Sequence, residues 1–138
     1  MEKFFIVLIL IGFVCFIIYV IKKLGKNTNT KVNKNEIKNK WEEIENLANF
    51  DKEMYYKMAI IEADKLLDDV FKQMGTPGST MAERLRFLVY KYPKLKSVWE
   101  AHIIRNNISH ESNYSLYRSS AKKAINTYKS ALKELNIL

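Results

Sequence analysis

The sequence predicts an all-α protein: an N-terminal single transmembrane helix followed by a compact four- to five-helix bundle. Three observations carry this. Beyond residue 40, apolar residues recur at helical spacing, and no alternating run is long enough to build a sheet. Every glycine and proline beyond residue 40 lies at Gly75-Thr76-Pro77-Gly78 or at Pro93, where helices must end. Residues 4–21 (FFIVLILIGFVCFIIYVI) form an uncharged run of 18 residues, long enough to cross a hydrocarbon core about 30 Å thick.

After a short flank over residues 1–3, the 4–21 run exceeds the usual apolar core of a secretory signal. It exits into Ile21-Lys22-Lys23 with no small-residue cleavage pattern, so it reads as an uncleaved anchor. Lys3 alone precedes it, whereas Lys22, Lys23, Lys26, Lys31 and Lys34 follow. The positive-inside rule therefore places the rest of the chain in the cytoplasm. The single Cys15 lies within the run, which excludes an intramolecular disulfide.

The net charge of +8 belongs mostly to one segment. Residues 22–40 hold seven lysines against Glu36, whereas residues 41–138 hold 15 basic and 13 acidic side chains. The 22–40 stretch reads as an Asn/Lys-rich juxtamembrane linker facing the anionic headgroups of a lipid bilayer. Within 41–138 the charge is uneven: nine acids and three lysines between Glu42 and Asp69, then eleven basic residues and four acids from Glu83 onward. A cationic half of this kind either packs against the acidic one or gathers a polyanion.

The helices follow in order. A first spans about 35–49, with Trp41, Ile44, Leu47 and Ala48 on one side. A second spans about 51–74, where Ala59, Ile60, Ala63, Leu66, Leu67, Val70, Phe71 and Met74 keep the 3.6-residue period. Gly75 stands at the position of a C-terminal cap and Pro77 prevents continuation. A third opens on Thr80-Met81-Ala82-Glu83, a capping box, and ends before Pro93. A fourth covers about 95–107 with Val98, Trp99 and Ile103. A fifth covers about 115–135 with Leu116, Ala121, Ala124, Ile125, Tyr128 and Leu132. Residues 41–138 thus make one domain with a single core.

Candidate chemistry gathers at Arg105-Asn106-Asn107-Ile108-Ser109-His110, which sets an arginine, an amide and one of 2 histidines near the end of the fourth helix. A guanidinium holds a phosphate, and an imidazole moves protons near neutral pH, so the pair suits metal-free phosphoryl chemistry. Each residue also has an ordinary role. Arg105 can pair with Glu62, Asp64 or Asp68 to fix helix register. Asn106 and Asn107 suit a helix C-terminus, and His110 can cap one. His102 shares the face of Arg105 and reads as a partly buried core histidine. No cluster with zinc-ligand spacing, Gly-rich phosphate loop or Ser-His-Asp arrangement stands in the sequence, so no metal and no cofactor is expected.

An Arg-x4-His motif with a polar residue after the arginine, in a domain of four to five helices, resembles the HEPN superfamily (higher eukaryotes and prokaryotes nucleotide-binding domains). The resemblance covers about residues 41–138, and its specific motif is those six residues. The stretches Ala59-Ile60-Ile61-Glu62-Ala63-Asp64-Lys65-Leu66-Leu67-Asp68 and Val98-Trp99-Glu100-Ala101-His102 are also similar to small, anchored bacterial helical proteins. The superfamily resemblance implies a metal-independent endoribonuclease that pairs as a homodimer to form a composite site on RNA. It implies His110 as general acid or base, Arg105 on the scissile phosphate, and Asn106 orienting the histidine or donating to a phosphate oxygen. Its motif falls on a helix end and the loop after it. Some members carry a tyrosine two residues past the histidine, where this chain has Ser112. A function of another class also fits the residues: a non-catalytic, membrane-tethered interaction or scaffold module.

Overall fold

A computed structural model describes residues 11–19 and 32–138. Five α-helices and one 3-10 turn fill 32–138: α1 Lys34–Asn49, α2 Glu53–Gln73, α3 Met81–Lys91, the turn Pro93–Ser97, α4 Val98–His110 and α5 Arg118–Glu134. No strand occurs among the described residues.

The transmembrane expectation is corrected. Of the 4–21 run only residues 11–19 are described. They are helical, and nine residues rise about 14 Å, roughly half of a hydrocarbon core. Among the described residues no helix is long and apolar enough to cross a membrane. The membrane-spanning part of the expected fold, the single-pass location and the cytoplasmic side deduced from its flanking lysines fall with it. The remainder of the run, the 1–3 flank and most of the lysine-rich linker lie outside the described residues.

Helix α2 is the axis of the bundle and packs against α1, α5, α4 and α3. The sequence dictates this, because α2 is apolar on more than one side: Ala59, Ile60, Ala63, Leu67, Val70 and Phe71 are all fully buried. Helix α1 lays Ile37, Trp41 and Ile44 onto it at i, i+4, i+7 spacing, so residues 34–40 of the lysine-rich segment enter the bundle as helix. Helix α5 approaches closely through Ala121, Ala124 and Ala131, whose small side chains make room for Tyr128 and Leu132.

Helix ends are set by local chemistry. Gly75 adopts φ 70°, and the amides of Gly75 and Thr76 bond back to the carbonyls of Lys72 and Phe71, a Schellman ending. Asn136 ends α5 in the same way at φ 55°. At α3 the Thr80 hydroxyl accepts from the Glu83 amide at 3.2 Å. The Glu83 carboxylate accepts from the amide of Ser79 at 2.6 Å, one residue earlier than a capping box requires. Two boundaries differ from expectation. Pro93 opens a 3-10 turn rather than following a gap, because its fixed φ and missing amide suit a first helical position. Helix α4 runs on past Asn107 to His110, since Ile104 and Ile108 continue the apolar period against the core.

Candidate functional site

A cleft of about 500 Å³ lies where α2, the start of α3 and α4 meet. Helix α2 contributes Asp64, Lys65 and Asp68, the α3 entry contributes Ser79, Thr80 and Arg84, and α4 contributes His102, Arg105 and Asn106. Two other hollows, of about 240 Å³ between α1 and α2 and about 730 Å³ between Val32–Asn35 and the chain end, hold neither histidine nor arginine.

The centre of the wall is Asp64, only 3% exposed. A buried carboxylate needs donors to offset its lost hydration, and two other helices supply them. Tyr128 of α5 donates its hydroxyl to Oδ1 at 2.9 Å. His102 of α4 places Nδ1 2.7 Å from the same oxygen. Arg105 of α4 brings Nε to 3.4 Å from Oδ2, an ion-pair distance without hydrogen-bond geometry. Burial, together with the adjacent Asp64 charge, pushes the Tyr128 hydroxyl far above the usual phenol range, so it stays a donor.

The sequence-predicted residues separate. Arg105 and Asn106 line the cleft side by side, with Nη1 of Arg105 donating to the Asn106 side-chain oxygen at 3.1 Å. Arg105 remains one-third exposed, and among the described residues its Nη2 makes no hydrogen bond. His110 does not join them. It stands exposed at the last position of α4, outside the cleft. The reason is helical geometry: five residues on, a side chain points about 140° away and sits about 7.5 Å along the axis. The six-residue motif is helical throughout, with no loop to bend His110 back.

Of the three acids expected as partners for Arg105, Asp64 takes that place. Asp68 belongs instead to Arg84, whose Nε donates to Oδ1 at 2.8 Å and whose Nη1 donates to the Gly78 carbonyl. Lys72 bonds Asp68 from the other side at 2.8 Å. Burial raises the Asp68 carboxyl, but the hydrogen bonds from Arg84 and Lys72 outweigh it and hold the group below the usual range. Two of the four cleft cations are thus committed to Asp68, which leaves Lys65 and Arg105 facing the opening. Lys65 is exposed.

Sequence reasoning passed over His102 and Asp64 as functional residues. Asp64 carried a signal, since Ile60, Asp64, Leu67 and Phe71 fall on one stripe and only Asp64 is polar. His102 lies one turn before Arg105 on the same face, 38 residues from Asp64 along the chain. Among the described residues, no three His, Cys, Asp or Glu side chains gather so as to hold a metal ion.

Compared with known proteins, the chain matches no family model, and neither a curated protein nor a solved structure matches it.

Proposed function

We propose that this domain is HEPN-like and cleaves RNA without a metal ion, two copies pairing around the phosphodiester. The observation that supports this best is the adjacent Arg105 and Asn106 in an open cleft, where one guanidinium nitrogen has no hydrogen bond among the described residues. RNA brings its own nucleophile, the 2′-hydroxyl. The protein then needs only to bind the phosphate, stabilise its oxygens as charge builds, and move protons. Arg105 supplies the first two, because a planar guanidinium offers parallel donors to an anionic phosphate. Asn106 fixes the guanidinium plane through its side-chain oxygen. His110 projects from the α4 end as a proton donor toward the site of a second copy.

The test is incubation of the whole chain with mixed-sequence RNA in EDTA, beside Arg105→Ala and Asn106→Ala. Cleavage giving 2′,3′-cyclic phosphate and 5′-hydroxyl ends, falling about 100-fold or more in Arg105→Ala, supports the reading. RNA left intact by all three proteins refutes it.

A second reading is favoured by Asp64 itself. Donors from α4 and α5 converge on one buried carboxylate of α2, an arrangement that ties three helices together whether or not anything is cleaved. Under it the domain is a non-catalytic helical interaction module, and Arg105→Ala changes only stability.

A further inference from the structure

Metal-free RNA cleavage needs two proton transfers. One group must take the 2′-hydroxyl proton, and another must give a proton to the departing 5′-oxygen. Each copy's own motif histidine, His110, stands outside the cleft that holds Arg105, so beside that guanidinium one proton-transfer role is unfilled. We infer that His102, held by Asp64, takes the 2′-hydroxyl proton, while His110 of a second copy protonates the leaving oxygen. This rests on the ribonuclease reading given above.

The geometry of His102 supports the base role. Its Nδ1 faces the Asp64 carboxylate at 2.7 Å, and a carboxylate only accepts, so Nδ1 carries the hydrogen. In the neutral ring that leaves the lone pair on Nε2. Among the described residues Nε2 makes no hydrogen bond, and it is not sealed from solvent. Trp99, whose ring meets His102 edge-on at 6.4 Å, backs the imidazole, and the ring lines the same cleft as Arg105. Asp64 is held in turn by Tyr128, so the orienting group is itself fixed.

The balance of atoms is complete. The 2′-oxygen bonds to phosphorus as its proton passes to Nε2 of His102. The bond from phosphorus to the 5′-oxygen breaks, and that oxygen takes a proton from the His110 imidazolium. Arg105 neutralises charge on the non-bridging oxygens throughout. A second copy is required because His102 and His110 lie eight residues apart on one straight helix, a rise of about 12 Å. A single phosphodiester cannot reach both within one copy.

Charged and titratable groups from the surrounding elements face the cleft beside His102. They are Asp64, Lys65, Asp68 and Lys72 of α2, Arg84 of α3, Arg105 of its own helix, and Tyr128 of α5 acting through Asp64.

The experiment uses the full chain with His102→Asn and His110→Gln, alone and mixed, on RNA in EDTA. Asparagine keeps a donor to Asp64 and removes Nε2, and His102→Gln serves as a second variant if the first fails to fold. Each variant alone is expected to fall about 100- to 10,000-fold in rate. Residual cleavage by His102→Asn should lose the low-pH limb of the wild-type profile, which a purely structural change would leave in place. Mixing the two variants should restore about a quarter of wild-type activity, since half the dimers are mixed and each has one intact site. Wild-type cleavage that persists in folded His102→Asn overturns this inference and spares the ribonuclease reading. A mixture as inactive as its components overturns the assignment of the two histidines to different copies. A wild-type chain that cuts no RNA overturns both.

Discussion

Arg105 and His110 share one unbroken helix, yet only Arg105 lines the cleft, where its Nε lies 3.4 Å from the buried carboxylate of Asp64. Their chemical pairing in the sequence is therefore not a pairing within one copy. This separates the two residues experimentally. Arg105→Ala removes part of the compensation for Asp64 and should lower stability by about 1–3 kcal/mol. His110→Ala, on an exposed helix end, should stay within about 0.5 kcal/mol. Urea denaturation of both variants checks the contrast.

Tyr128 is fully buried and donates to Asp64 at 2.9 Å. Tyr128→Phe keeps the ring and deletes one bond to a charged acceptor, so a loss of about 1.5–3 kcal/mol is expected. The raised phenol pKa adds a sign. Stability from the neutral hydroxyl is complete below the ordinary phenol value and declines as pH rises beyond about 10, because the unfolded chain ionises first. Denaturation from about pH 9 to pH 11, one unit either side of that value, should show a shallower decline in Tyr128→Phe.

Arg84 is 6% exposed and holds both Asp68 and the Gly78 carbonyl. Arg84→Met strips a buried pair of one partner while Lys72 still serves Asp68, and about 3 kcal/mol should be lost. Because the Asp68 carboxyl is lowered in the fold, its contribution is present above the ordinary value of about 4 and is lost as pH falls through the lower folded value. Wild type should therefore lose more stability than Arg84→Met between about pH 5 and pH 2, measured by thermal melts across that range.

Gly78 sits at φ 136°, and a Cβ there would stand 3.0 Å from the Arg84 amide nitrogen and 3.0 Å from Glu83 Cβ. Gly78→Ala combines backbone strain with a clash against a helix start. A loss of about 1–3 kcal/mol is expected, read as a lower melting temperature.

Much of the bundle was legible because helices announce themselves by period and punctuation. The α2 stripe, the Gly75 ending and the Thr80 start needed only local rules. The end of α4 was misjudged because Asn106 and Asn107 suggest a terminus. In the fold, Asn106 instead receives Arg105, and Ile108 packs against the core. The apolar 4–21 run invited a membrane span that the described helices do not form. The Asp64 centre was out of reach for another reason: its partners lie 38 and 64 residues away, and residue types alone do not say which acid meets which base across a bundle.

The chemistry proposed for this cleft runs through the RNA 2′-hydroxyl, with Arg105 on the phosphate and no metal. The most direct measurement gives the protein, in EDTA, one strand as RNA and the same strand with deoxyribose throughout. The RNA should be cut, the deoxy strand should survive, and Arg105→Ala should cut neither. Equal cleavage of both strands, or RNA that remains whole, would contradict it.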